Sequence, residues 1–150
     1  MAQVTTYLHS AKDGFLEYSL NGTAWTDISG IANSISFSGG DRASGEVYTI
    51  NGTYAIVGAG KIGPTEATLS IVYDDSGAVY TTLRGYFVAQ TWIYLRWTPK
   101  GDNPGNVTFT SALGPILSCP PPGGDASAGD PLTVEITHKS ASWVNSTLTT

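Results

Sequence analysis

The sequence predicts a mainly β domain, a sandwich or barrel of two packed sheets with one helix on its flank. Three observations support this fold class. Several short runs alternate apolar and polar residues, glycine, proline and asparagine separate these runs, and a single segment has helical periodicity. The chain of 150 residues fits one domain over 1–150, which buries roughly two thirds of its unfolded surface.

The first part of the chain combines an irregular start with short strands. Residues 1–13 have no periodicity and no apolar core of a secretory signal, so they are predicted to form an N-terminal arm. Asn21-Gly22 favours a tight turn, because both residues accept positive φ. The predicted strands before the glycine-rich part are 15–20, 25–28 and 34–38.

The glycine-rich segment 39–63 is too long for an ordinary connection in a compact domain. Asn51-Gly52 predicts a tight turn between two extended stretches, so we expect a projecting loop or hairpin. Its Gly58-Ala59-Gly60-Lys61 run lacks the spacing of a phosphate-binding loop, because Ile62 follows the lysine and no helix comes next. We therefore interpret the segment as a contact surface for other subunits.

One helix is predicted at about 75–90. Asp74, Asp75 and Ser76 are suitable capping residues at its start. Val79, Leu83 and Phe87 then form one apolar stripe at helical spacing.

The remaining predicted strands are 65–73, 93–98, 107–110, 114–118 and 132–137. Three consecutive prolines indicate that 119–130 is a surface loop. The polar segment 138–150 is predicted to form a C-terminal arm.

The composition excludes several classes of function. Only 13% of residues are charged, about half the usual share, which suits a surface covered by neighbours in an assembly. The net charge of −5 argues against tight binding of a nucleic-acid backbone. A single cysteine, Cys119, cannot form an internal disulfide, and no apolar run approaches membrane-spanning length. We expect a soluble protein made in a cytoplasm.

Catalytic and ligand-binding patterns are sparse. His9 and His138 are the only histidines, and both fall in predicted arms, where solvated or interface positions are expected. Helix capping accounts for Asp74 and Asp75, and the loop residues Asp125 and Asp130 lack calcium-loop spacing. The sequence therefore predicts no enzyme, no catalytic residue, no cofactor and no metal.

Four tryptophans leave a binding module open as an alternative. Aromatic side chains on sandwich strands belong more often to a core or an interface than to a sugar platform. The four residues are Trp25, Trp92, Trp97 and Trp143.

The order of features from Trp25 to Trp97 points to a known family. The residues in question are Trp25-Thr26-Asp27-Ile28, the run 38–46 (SGGDRASGE), Thr49-Ile50-Asn51-Gly52, Gly58-Ala59-Gly60-Lys61, Val72-Tyr73 before the helix, and the run 95–101 (LRWTPKG). In this order the chain resembles the tail tube protein, or major tail protein, of long-tailed non-contractile bacteriophages. That family is related to the inner-tube proteins of contractile tails and of type VI secretion.

The resemblance implies a structural virion protein that forms hexameric rings. These rings stack into a hollow tail tube through which genome DNA is delivered to the host. The implied partners are other copies of the chain, a tape-measure protein and DNA in the lumen without specific binding, and tail terminator and distal tail proteins at the ends. The implied location is the virion tail, assembled in the host bacterial cytoplasm, with no membrane insertion by this chain.

Two sets of site residues follow from the patterns and the resemblance together. Ring stacking or subunit contact is expected at Asp41, Arg42, Glu46, Asn51, Gly52 and Lys61. The expected lumen-facing residues are Thr68, Ser70, Thr133, Glu135 and Thr137. Two alternatives stay open: a carbohydrate-binding or adhesin β-sandwich module, and a related single-ring tail component such as a tail terminator.

Overall fold

The computed structural model describes residues 10–149 and confirms the mainly β fold class. One helix, α1, spans Val79–Ala89, and a short 3-10 turn spans Ala11–Asp13. The strands are β1 Phe15–Ser19, β2 Thr26–Asp27, β3 Ala32–Gly39, β4 Arg42–Val47, β5 Ile56–Ile62, β6 Thr65–Val72, β7 Tyr94–Thr98, β8 Val107–Ser111, β9 Ile116–Ser118, β10 Thr133–Ser140 and β11 Trp143–Thr147. Residues 1–9 of the predicted N-terminal arm (1–13) lie outside the described residues.

The strands form two packed sheets and one separate ribbon. The five-stranded sheet has the order β11-β8-β7-β1-β2, and the four-stranded sheet has the order β3-β6-β10-β9. Strands β4 and β5 pair with each other as a two-stranded sheet. All of these pairings are antiparallel, as expected where short turns connect many of the strands.

The core lies between the two large sheets and under α1. Along β6, Ala67, Leu69 and Ile71 are buried and alternate with residues on the opposite face. Because side chains of a strand point alternately to its two faces, this pattern fixes which face of the sheet is inside. The other buried apolar residues of the cluster are Leu16, Tyr18, Ile28, Leu83, Ile93, Leu95, Ile116, Cys119, Val134 and Ile136.

The helix begins later than its predicted cap. Ala78 occupies the cap position without a side-chain hydrogen bond. Asp74 instead accepts hydrogen bonds from the Ser76 backbone N–H and hydroxyl, at 2.9 and 2.6 Å. These bonds lower the pKa of Asp74 and stabilise a turn before the helix, so the capping prediction is wrong. Within residues 10–149, no helix is both long and apolar enough to cross a membrane.

The C-terminal segment is strand where an arm was predicted. Strand β10 continues to Ser140, and β11 pairs with β8 from Trp143↔Ser111 to Thr147↔Val107. The prediction failed because polar residues, His138 and Ser140, occupy the buried positions of the alternation. A pattern search that reads only apolar residues as buried ends this strand too early.

His138 is a core residue and not a solvated or interface histidine. Its ring is fully buried, and Nε2 lies 3.0 Å from the Ile93 carbonyl oxygen. A carbonyl can only accept, so Nε2 carries the proton of the neutral ring. Nδ1 has no partner among the described residues. Burial lowers the pKa of His138 below its usual 6.5, against the opposing effect of the hydrogen bond to Ile93.

The free energy of unfolding is expected to fall as the pH drops below 6.5, the usual value for histidine. Below pH 6.5 the unfolded chain binds a proton at His138, whereas the folded chain keeps this histidine neutral. Above that pH, both states carry neutral His138 and the stability contribution is fully present. Chemical denaturation between pH 8 and 5.5 measures this loss. A His138→Gln variant is expected to have a flatter profile, and an equally steep profile would contradict the assignment.

Candidate assembly surface

Strands β4 and β5 form an antiparallel hairpin outside the two packed sheets. Its register pairs Val47 with Ile56, Glu46 with Val57 and Gly45 with Gly58, with an irregularity between Arg42 and Ser44. The tip, residues 48–55, is wider than the predicted two-residue turn, and neither Asn51 nor Gly52 has a positive φ. The projecting hairpin is thus present, but its turn type differs from the prediction.

Two glycines turn the chain out of the four-stranded sheet at the root of the hairpin. Gly39 and Gly40 have φ of 76° and 75°. A Cβ on Gly39 would approach the Pro64 carbonyl oxygen to 2.5 Å, so only glycine fits this close approach. Across the root, Gly40 N–H donates to Pro64 O at 3.0 Å and Gly63 N–H donates to Asp41 O at 2.9 Å. These bonds set the direction in which the hairpin leaves the domain.

One face of the hairpin carries only small and apolar residues. Paired residues of an antiparallel ribbon share a face, which places Val47, Ile56, Gly45 and Gly58 together. Gly60 and Ala43 continue the same face toward the root, since a Cβ on Gly60 would lie 3.2 Å from the Cβ of Ala43. The other face carries polar Ser44 and Glu46 opposite Ala59 and Val57.

The hairpin exposes an unusual amount of apolar surface. Seven large apolar side chains on or beside it are more than half exposed: Val47, Tyr48, Ile50, Tyr54, Ile56, Val57 and Ile62. Summed over both faces and the tip, their exposed area is on the order of 900 Å², and the largest single apolar patch of a typical monomer covers about 300–600 Å². A surface of this size and composition is typical of one that a partner covers.

The six predicted contact residues all lie on this hairpin or at its root. They are exposed, and they are Asp41, Arg42, Glu46, Asn51, Gly52 and Lys61. Arg42 is engaged inside the hairpin, where Nη1 donates to Gly60 O at 2.8 Å. The seven exposed apolar side chains were not among the predicted contact residues. The available signal was the presence of Ile, Val and Tyr in a segment whose glycines leave no core to bury them.

The predicted lumen residues share one face of the four-stranded sheet, opposite the core. Register pairs Thr68 with Thr137 and Ser70 with Glu135, and Thr133 lies next along β10. Strand β3 continues the face, since Ser36 is opposite Thr68 and Ser34 is opposite Ser70. Thr133 and Glu135 are exposed, and the others are half-buried. The result is a hydroxyl-rich face with few charges.

Metal-ligating side chains do not cluster in the described part of the chain. Within residues 10–149, no three His, Cys, Asp or Glu side chains are close enough to hold a metal ion. Cys119 is buried, and burial raises the pKa of its thiol, which disfavours the reactive thiolate.

Three solved structures show which class of protein has this fold. A chain of the sheath–tube complex of PVC, an extracellular contractile injection system, matches with a TM-score of 0.69 and 15% identity over 96% of this chain and 95% of that one. The tube-terminating cap of the anti-feeding prophage AFP matches with 0.69 and 14% identity over 98% and 96%. The tail of an empty GTA particle, with C6 symmetry, matches with 0.68 and 13% identity over 95% and 100%.

The resemblance to tail tube proteins is therefore confirmed at the level of the fold. The matched structures are a sheath–tube complex, a tube-terminating cap and a tail, and at 13–15% identity the likeness is one of fold. No protein-family model matches the sequence, and no curated protein is significantly similar to it.

Proposed function

We propose that this chain is a structural tail subunit that self-associates into hexameric rings, which stack into the hollow tail tube of a virion. The observation that carries the proposal is the apolar hairpin, whose strands pair only with each other within the described residues. Burying about 900 Å² of such surface at roughly 25 cal/mol per Å² supplies a large driving force for association. Copies of the same chain are the partner that a repeating tail offers.

Support for the number six comes from the family resemblance and from one matching structure. The GTA tail that shares this fold was refined with C6 symmetry. A ring of six copies would have the same symmetry. Closed rings are a common outcome when one surface of a subunit contacts a different surface of the next.

We assign the hydroxyl-rich face of the four-stranded sheet to the lumen. Besides serine and threonine it carries Glu66, Glu135 and Lys139, so its charge is small and slightly negative. Such a face does not bind phosphates tightly, which lets genome DNA pass to the host. A tape-measure protein would occupy the lumen earlier, and tail terminator and distal tail proteins would close the ends. Assembly would take place in the host cytoplasm, without membrane insertion by this chain.

A single-ring tail component is the second candidate. The tube-terminating cap of AFP has the same fold, as does a chain of the PVC sheath/tube terminator. Formation of single rings without growth into tubes would identify this alternative.

A sugar-binding module is less well supported by the positions of the tryptophans. The Arg96 guanidinium covers the ring of Trp25, with Cζ 4.3 Å from the ring centroid. Trp97 and Trp143 pack against the core, so only Trp92 among the four is strongly exposed.

The tip of the hairpin offers a direct test. Ile50 and Tyr54 are almost completely exposed, so Ile50→Ser with Tyr54→Ser removes apolar contact surface without touching the core. We expect wild-type thermal stability and at least a tenfold loss of assembled material in sedimentation velocity. Leu20→Ser is the matched control, since Leu20 is half-exposed on a different turn. Equal assembly of the double variant and the control would contradict the role of the tip.

A further inference from the structure

The chain contains two Asn-Gly dipeptides, and both asparagines are exposed on turns. Asn21-Gly22 lies between β1 and β2, and Asn51-Gly52 lies at the tip of the hairpin. The side-chain amide of an asparagine is open to attack by the next backbone nitrogen when glycine follows, because glycine has no Cβ to hinder the approach. The two sites therefore share one local chemistry, and the structure holds them differently.

Hydrogen bonds hold the Asn21 side chain in place. Its Oδ1 accepts from Thr23 N–H and Ala24 N–H, both at 2.9 Å, and from the Ser19 hydroxyl at 3.1 Å. The attacking atom is also engaged, since Gly22 N–H donates to Ser19 Oγ at 2.9 Å. The amide carbon of Asn21 and the nitrogen of Gly22 cannot meet until these bonds break.

Asn51 lacks comparable restraints. Within residues 10–149, its side chain forms no hydrogen bond, and both Asn51 and Gly52 are exposed. One backbone bond closes the turn, from Gly52 N–H to Thr49 O at 3.2 Å, which is at the long end of the usual range. Opening of this single exposed contact releases the Gly52 nitrogen.

We propose that Asn51-Gly52 is a site of spontaneous deamidation and that the charge of the product removes the subunit from assembly. The Gly52 nitrogen gives up its proton and bonds to Asn51 Cγ, the Cγ–Nδ2 bond breaks, and the amide nitrogen leaves with that proton as ammonia. Water then adds to one of the two carbonyl carbons of the succinimide ring and cleaves its C–N bond. The product is aspartate or isoaspartate, and neither an oxidant nor an enzyme takes part.

The new carboxylate lies in an uncharged part of the hairpin. The tip, residues 48–55, contains no Asp, Glu, Lys or Arg, and Ile50 and Tyr54 on either side of Asn51 are almost completely exposed. Covering this tip with another copy buries a charge that has no partner there, which is unfavourable. This consequence rests on the proposed function, whereas the chemistry at Asn51 does not. Assembled subunits are expected to be protected, because contact at the tip restricts opening of the turn.

Peptide mass mapping of the purified chain tests the chemistry. The chain is incubated in mildly alkaline buffer at a concentration that keeps it unassembled. We expect the mass increase of –NH2 to –OH at Asn51 to develop at least roughly tenfold faster than at Asn21, where several hydrogen bonds must break first. In urea, where these bonds are lost, the two sites are expected to react at similar rates. Equal rates in the folded chain, or no conversion of Asn51, would overturn the proposal.

Matched variants test the consequence for assembly. Asn51→Asp places the charge of the product at the tip, and Asn21→Asp adds the same charge where the carboxylate can still accept the hydrogen bonds of the turn. In sedimentation velocity we expect about a tenfold or greater loss of assembled material for Asn51→Asp and none for Asn21→Asp, with both unfolding at the wild-type temperature.

Asn51→Gln blocks the reaction, because its longer side chain forms the ring poorly, and it is expected to keep assembling after an incubation that inactivates the wild-type chain. Full assembly of Asn51→Asp would overturn the effect on assembly and leave the proposed function standing. Failure of the fresh wild-type chain to assemble would overturn the proposed function and this effect together, and the rates measured at Asn51 and Asn21 would still decide the chemistry.

Discussion

Replacing residues 45–58 by Asn-Gly is expected to abolish tube formation and to leave a folded domain. Ser44 and Ala59 are register partners, so a two-residue turn can close the shortened hairpin between them. The deleted part carries six of the seven exposed apolar side chains and no member of the buried core cluster. The folded domain therefore loses its contact surface without losing core packing.

The measurement is negative-stain microscopy of the variant together with its thermal unfolding midpoint. An unchanged midpoint with no tubes supports the hairpin as the stacking element, and isolated rings would further indicate that ring closure does not need the hairpin. Tubes of wild-type length from this variant would show that another surface stacks the rings. A large drop of the midpoint would contradict the structural independence of the hairpin.

Arg96→Ala is expected to destabilise the domain by about 3–5 kcal/mol at pH 7, because it leaves a buried carboxylate without its partner. Glu17 is buried in β1, and Arg96 lies directly opposite it in β7. Arg96 Nε donates to Glu17 Oε2 at 2.6 Å, and Nη2 lies 2.5 Å from the same oxygen. The guanidinium also covers the ring of Trp25, so the substitution removes packing as well as charge.

The pH dependence of this defect identifies its cause. Burial raises the pKa of Glu17 above its usual 4.5, and the hydrogen bond and charge of Arg96 oppose the rise. Without Arg96 the folded-state pKa rises further, so the folded state gains a proton before the unfolded state does as the pH falls. The stability difference between wild type and Arg96→Ala is therefore expected to narrow from pH 7 toward pH 4.5. Urea unfolding across this range measures it.

Two further variants serve as controls. Lys100→Ala removes an exposed cation from the same region and is expected to change stability by less than about 0.5 kcal/mol. Glu17→Leu with Arg96→Leu removes both charges and is expected to recover much of the lost stability. A defect of Arg96→Ala that is independent of pH would contradict an origin in the unpaired carboxylate.

The parts of the fold that follow simple alternation were predictable from the sequence. In β6, Leu69 and Ile71 alternate with Thr68 and Ser70, and this pattern alone places the hydroxyls on one face. The end of β10 was not predictable in this way, because His138 is buried there through a hydrogen bond to Ile93 that no sequence pattern reveals. Strand β11 was missed because its residues Val144 to Thr147 are exposed and polar overall.

The sequence predicted where the candidate site lies, but it did not predict that exposed apolar side chains make up most of its surface. Glycine content and length located the projection, and the expected contact residues within it were the charged Asp41, Arg42, Glu46 and Lys61 together with the Asn51-Gly52 tip. The apolar residues Ile50 and Tyr54 were not chosen, because apolar residues are buried in most sequence contexts, although the surrounding glycines indicated that no core would cover them. An open pocket is lined by residues of five different strands, Phe37, Thr65, Trp97, Phe109 and Trp143, and no local pattern predicts such a convergence.

Negative-stain microscopy of the purified wild-type chain at increasing concentration tests self-assembly most directly. We expect sixfold rings at low concentration and hollow tubes of stacked rings at high concentration. A chain that stays strictly monomeric at high concentration, with neither rings nor tubes in the micrographs, would contradict its role as a tail tube subunit.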